Sequence, residues 1–304
     1  MDATSGSIGA IVAPFTKGPV EEAQLIESEE DLLQTFGQPY SVDKHYEYWM
    51  VASSFLAYGG TLQVIRADDF NTATGVGLKN AFVGTASSIR IKSDTHYNQL
   101  GYDSDTITGV TVAAKTPGSY ANGIRVSIID SKADQILTVS GISTVGLGIT
   151  QSAAGRIVAG AAGTSVLDGY IKGIVTEVGS GTISVKTLAH VSTAGTVTNV
   201  NYQNGGVYNF ATGNISASAA GTNVGGTPQN VTAVTDWFEQ QNIVLTQTDA
   251  NGNPISLEWD QLADAPGTSS YAAARGGRFD EVHVVVIDDK GTITGNAGTI
   301  LKNI

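Results

Sequence analysis

The chain has four histidines, His45, His96, His190 and His283, and no two of them fall at metal-ligand spacing on one predicted element. His283 lies inside the apolar run VHVVVI and reads as a half-buried strand residue rather than a ligand. With no cysteine present, thiolate metal sites, a cysteine nucleophile and disulfides are excluded. Asp249, Asn251 and Asn253 imitate the start of a calcium loop, where oxygen ligands recur at alternate positions. Pro254, however, stands where that loop needs glycine, and its last ligand position is Asp260, too short for the usual bidentate glutamate, so a turn is the better account. Asp288 and Asp289 are a carboxylate pair, but at the end of an apolar strand and before Lys290-Gly291 they read most simply as a hairpin turn. Glycoside hydrolysis needs two carboxyls facing across a cleft, which adjacency in sequence does not establish.

The glycine-rich stretches match neither GxxxxGK[ST] nor GxGxxG before a helix, and there is no G-x-S-x-G elbow. Asn214-Ile215-Ser216 and Asn230-Val231-Thr232 match the glycosylation sequon by chance, since no basic region followed by an apolar core opens the chain. Arg275 and Arg278 flank Gly276-Gly277; they either pair with acids of a neighbouring subunit or lie in a solvated loop. No catalytic, cofactor-binding or metal-ligating residue is therefore assigned, no cofactor is expected, and the chain is not expected to be an enzyme.

The elements that would have to position any site are clearest from Ser28 to Ala67. Ser28 can cap a helix, with Glu29, Glu30 and Asp31 placing negative charge against the first turn's unpaired N–H groups. Leu32, Leu33 and Phe36 supply an apolar stripe, Gly37 the positive-φ residue that ends the helix, and Pro39 forbids a restart. Asp43 can cap a second helix to Tyr58, in which Trp49, Met50, Val51, Phe55 and Leu56 spread over most of the circumference, so it should be buried on more than one side. After Gly59-Gly60 the period changes to two, and Thr61 to Ala67 reads as a strand, with Ile8 to Ala13 an earlier one. The expected order is strand, helix, helix, strand.

Glycine at 37 residues, with abundant Ala, Ser, Thr and Val and only 14% charged residues, fits a β-rich architecture with many turns. A net charge of −12 argues against nucleic acid as a partner, because phosphate binding demands a basic patch. No apolar run approaches the roughly 20 residues that span a bilayer, so membrane insertion is not expected. From Lys132 to Val231 the only charges are three acids (Asp134, Asp168, Glu177) and four bases (Lys132, Arg156, Lys172, Lys186), and β-branched runs alternate with glycine-rich turns as in a small barrel or sandwich. This segment reads as an insert projecting from a host domain, since insertions succeed at exposed loop tips. In the host, Ile243 to Thr248 and Ile255 to Trp259 flank DANGNP and predict a hairpin, and Val282 to Ile287 predicts a central strand covered on both faces. Asp236 can cap a short helix holding Trp237 and Phe238, and Pro117-Gly118 with Asn122-Gly123 read as a pair of turns.

Three stretches, in this order, resemble contractile tail sheath proteins of myovirus-type bacteriophages, including those of cyanobacteria. They are GAIVAPFTKGPV with FGQPYSVDKHYEYWMVASSFLAYGGTLQVIRADD, then VTVAAKTPGSYANGIRVSIID, then GTSSYAAARGGRFDEVHVVVIDD followed by GTILKNI. The resemblance covers roughly half of the chain. It implies a fragment lacking the family's N-terminal arm and its C-terminal α/β region. It also implies an α+β, mostly β, multi-domain fold: residues 1–70 as an incomplete α/β base element, 71–131 with 232–304 as a β-sandwich-like middle domain, and 132–231 as an inserted, protruding small β-barrel or sandwich. The function implied is that of a structural subunit that polymerises around the tail tube and contracts to drive it into the host for genome ejection. Partners implied are further copies in rings or a helical lattice, the tail tube protein, and baseplate and tail terminator proteins. The place implied is the virion, after assembly in the host cytoplasm. The alternative is a tail-surface module in which the Thr- and Asn-rich insert binds a carbohydrate or other host ligand; a phage-encoded hydrolase is the third reading.

Overall fold

A computed structural model describes residues 8–39, 45–69, 71, 74, 77–102, 107–160, 163–201, 203–218 and 228–304. The chain divides into two compact units, residues 1–126 with 286–302, and residues 127–285 with 303–304. Strand residues outnumber helical ones in both, so the fold is mostly β and multi-domain.

The first unit opens with β1 (Ile8–Ala13), β2 (Ala23–Ile26), α1 (Glu29–Phe36), α2 (His45–Ala57) and β3 (Thr61–Arg66). β3 is central, parallel to β1 and antiparallel to β2. The short strand β2 interrupts the expected order; its alternation is only four residues long, too short to separate from a loop by pattern alone. α1 forms as its caps dictate. The Ser28 hydroxyl accepts from the Asp31 N–H (3.1 Å), and Gly37, at φ 78°, donates to the Leu33 carbonyl. Asp43 lies outside the described residues.

α2 departs from expectation: it is covered on one side only. Trp49, Ala52, Ser53 and Leu56, spaced i, i+3, i+4, i+7, are buried with Leu32, Phe36, Leu62 and Val64, whereas Met50, Val51 and, just beyond the helix, Tyr58 are exposed. The physical reason is the narrowness of the layer. Three strands offer the two helices one sheet face, and nothing among the described residues packs on the helices' outer side.

The unit continues with β4 (Phe82–Gly84), α3 (Asp94–Gln99) and β5 (Val110–Ala113), β4 and β5 forming an antiparallel pair, and β6 (Ile124–Ile129) follows at its boundary. The expected pair of turns around Tyr120 is one 3-10 helix, Ser119–Gly123. Gly118 enters it at φ 135°, where a Cβ would also meet the Arg66 guanidinium at 2.9 Å.

In the second unit β7 (Gln135–Thr138), β8 (Gly148–Ser152), β9 (Ile157–Gly160), β10 (Gly163–Val166), β11 (Tyr170–Val178), β12 (Thr182–Val191), β13 (Val197–Asn199), β14 (Gly213–Ser218), β15 (Gln229–Val231) and β16 (Ala233–Asp236) follow in turn. Apart from the β9–β10 hairpin they make one antiparallel sheet, ordered β15-β14-β8-β11-β12-β7-β16, with β13 on β12. Its two ends, β15 and β16, are separated in sequence by Thr232 alone, so the sheet curls into a nearly closed barrel. Register shifts in β11 against β12 increase that curl. Leu137, Ile149, Ile171, Val185, Phe210 and Ile215 fill the core. β17 (Asn242–Thr248) and β18 (Pro254–Glu258) form the expected hairpin, and Asp236 caps the 3-10 turn Phe238–Gln240 through the Phe238 N–H (2.8 Å). Residues 135–236 expressed alone are expected to unfold in a single cooperative transition by circular dichroism, because one core, from Leu137 to Val231, serves the whole barrel. A gradual, non-cooperative loss of signal would contradict this.

β19 (His283–Asp288) is the central strand of a three-stranded sheet with β20 (Thr299–Asn303) and β6. Its coverage is less complete than expected: Val285 and Ile287 are fully buried, Val284 and Val286 half-buried, and Val282 before it exposed.

Candidate functional site

The polar residues singled out in the sequence do not converge. The His45 side chain is outside the described residues. His96, on α3, accepts the Lys92 N–H through Nδ1 (3.2 Å); burial first, then the Lys92 and Arg90 cations, push its pKa down. His190, in β12, is buried, shares a hydrogen bond with the Asp168 carbonyl (2.7 Å) and stacks on Tyr208 with ring centres 5.1 Å apart. His283 is half-buried in β19 as its place in an apolar run suggests. Asp249 accepts from the Asn251 and Asn253 N–H groups and the Asn253 amide (2.9, 2.8 and 3.1 Å), which is an Asx-type turn. Among the described residues no three His, Asp or Glu side chains gather as a metal site would need.

Arg278 meets neither of its expectations. Its guanidinium is nearly buried and pairs within the chain with Asp134 (3.2 Å), which also accepts the Thr187 N–H (2.7 Å). Arg275 stacks over the Tyr271 ring at 3.6 Å. Sequence could not foresee the first pair, whose partners are 144 residues apart.

Asp288 and Asp289 face different partners. Asp289 pairs with Arg125 (3.1 Å). Asp288 is completely buried and accepts the N–H groups of Thr292, Ile293 and Thr294 (2.9, 2.9 and 2.7 Å) and the Thr294 hydroxyl (2.9 Å). Burial opposes its charge, but the Thr294 and Ile293 N–H groups, the Thr294 hydroxyl and the Thr292 N–H outweigh that and hold the carboxyl below the usual range. It thereby shapes the connection from β19 to β20. Because the folded pKa lies below the unfolded one, this contribution is present above the unfolded pKa of about 4 and is lost as pH falls through the folded value. Asp288→Asn should cost about 1–3 kcal/mol at neutral pH. In denaturant titrations the gap between variant and parent should narrow below about pH 4; a gap independent of pH would exclude the carboxylate.

The sequence reading missed the buried fasteners. Arg66, at the end of β3, is 3% exposed; Nε donates to the Phe15 carbonyl (2.7 Å), Nη1 to Gly18 (2.8 Å) and Pro117 (2.5 Å), and Nη2 to Thr16 (3.1 Å). Asn80 joins Ile91 and Ala114 through its amide. In the barrel Gln135 exchanges two hydrogen bonds with the Phe210 backbone (3.1 and 2.8 Å), and Gln151 does the same with Ala211 (2.7 and 2.8 Å). One signal was available: Arg66, Gln135 and Gln151 sit at the same strand parity as Val64, Leu137 and Ile149, which face inward.

These buried polar groups fasten the fold internally, and one open surface, the sheet face of the α/β layer, is largely apolar. On the α/β layer, β1 and β2 turn Ile8 (73% exposed), Val12 (67%) and Leu25 (57%) away from the helices, in rows Ala10–Gln63–Leu25 and Val12–Ile65–Ala23. An apolar sheet face of this kind is ordinarily covered by other polypeptide. The outer side of the helices is mixed, with Met50 and Val51 exposed beside Glu29, Glu30, Gln34 and Glu47, so the apolar face left open is that of the sheet.

No protein-family model matches the chain. Over 69 residues, 23% of its length, it is 39% identical to the tail sheath protein of Enterobacteria phage T4. The matched part is 10% of that relative, so the chain spans about a tenth of the curated protein it matches. The similarity is thus to a short part of a phage tail sheath protein, and on that ground this chain is related in sequence to a structural component of a phage tail.

Proposed function

We propose that the chain is a structural subunit of a contractile phage tail sheath, assembling with further copies around a tail tube in the virion and acting without an active site. The observation that carries the reading is the 69-residue similarity to a tail sheath protein. The open apolar sheet face of the α/β layer supports it, as a position where further polypeptide of the assembly packs. So does the use of buried polar groups as internal fasteners, since a subunit that moves as a rigid body between lattice states has to keep its own fold. Contraction then draws on a lattice whose extended form is metastable, with strain released through contacts between subunits.

The test is negative-stain electron microscopy of the protein produced from its gene together with the tube protein of the same genome. Rings or tubes of regular diameter are expected. Val12→Glu with Leu25→Glu should abolish them while changing stability by about 0.5 kcal/mol or less per site, as exposed positions do. Dispersed particles from the parent protein, or tubes unaffected by the double variant, would count against the reading and against the role of that face respectively.

A further inference from the structure

The chain contains three Asn-Gly steps, Asn122-Gly123, Asn204-Gly205 and Asn251-Gly252. Asn-Gly is the dipeptide most open to spontaneous cyclisation, because glycine puts no side chain in the way of its own nitrogen. The fold treats the three differently. Asn122 lies in the 3-10 helix, and Gly123 is buried so tightly that a Cβ there would meet the Thr292 hydroxyl at 2.4 Å. Asn204 is clamped at both ends of its amide: Oδ1 accepts the Asn201 N–H (2.7 Å), and Nδ2 donates to the Asn199 carbonyl (3.1 Å). Asn251 is at the exposed tip of the β17–β18 hairpin, its side-chain amide has no hydrogen bond among the described residues, and open space surrounds Gly252, at φ 84°. One solvent-exposed bond, Gly252 N–H to the Asp249 carbonyl (3.0 Å), has to open before reaction.

We propose that Asn251 is a site of spontaneous deamidation in the folded protein, and that the fold protects the other two steps. The Gly252 nitrogen attacks Cγ of Asn251. A C–N bond forms, the Cγ–Nδ2 bond breaks, and ammonia leaves carrying the proton given up by the Gly252 N–H. Solvent water then opens the five-membered imide at either carbonyl, giving aspartate or isoaspartate, with no change in oxidation state. Either product adds a negative charge to an acidic chain. The isoaspartate also inserts a methylene into the turn that sets the register of β17 against β18.

Peptide mapping by mass spectrometry of the whole folded protein, incubated at mildly alkaline pH, reads all three sites at once. Deamidation at Asn251 is expected to be about tenfold or more faster than at Asn122 or Asn204, since the protected steps react only from a locally opened minority. The same incubation in denaturant should bring the three rates together. Comparable rates in the folded protein, an intact Asn251 while either other site reacts, or a preference that survives denaturation would each overturn the assignment.

Discussion

Replacing Arg66 with methionine is expected to destabilise the first unit by about 3–5 kcal/mol, because several buried carbonyls lose their donor at once and the aliphatic chain supplies none. The four carbonyls belong to two separate turns, residues 15–18 and Pro117, which the guanidinium ties to the end of β3. Arg66→Lys should rescue little: a single ammonium offers three donors from one point and cannot reach carbonyls arranged around a planar fork. Urea denaturation followed by circular dichroism measures both variants. A loss below about 1 kcal/mol for methionine would mean that water reaches those carbonyls and that the arginine is not the fastener described.

Trp49→Ala should be of similar size, about 3–5 kcal/mol, the range for deleting a large buried aromatic. The ring is 8% exposed within the core that holds Leu32, Phe36 and Leu56, and its Nε1 donates to the Gly37 carbonyl (2.9 Å) just past the end of α1. Truncation would open a cavity and leave that carbonyl without its donor. Trp49→Phe keeps most of the volume and should cost less, its hydrogen-bond part about 1 kcal/mol. The paired control is Val51→Ala, two residues along the same helix but 64% exposed, expected to stay within about 0.5 kcal/mol. Equal losses at Trp49 and Val51 would show that α2 is covered on both sides after all.

These two positions mark where sequence reasoning carried and where it stopped. The caps of α1, the strands Ile8–Ala13 and Thr61–Arg66, and the hairpin around Asp249 were legible because their signals are local: a capping hydroxyl, a period of two, a turn residue that bonds its own backbone. The barrel was legible as a class, from low charge and β-branched runs, but its closure was not. That depends on β16 finding β7, a pairing across some 95 residues or more (Ala233 with Thr138) that no local pattern encodes.

The sequence of α2 likewise predicted a helix with apolar residues over most of its circumference; which side is covered was decided by the sheet beneath it. Arg66, Gln135 and Gln151 illustrate the same limit from the polar side. Their strand parity pointed inward, so their burial could be read, but the carbonyls and amides they hold lie 48 to 75 residues away in sequence. Hydrogen bonds within a turn are fixed by a few dihedral angles, whereas those closing long loops exist only once the whole chain has packed. In this protein local chemistry therefore determined the elements, and tertiary structure alone decided which polar groups became fasteners and which apolar face was left open.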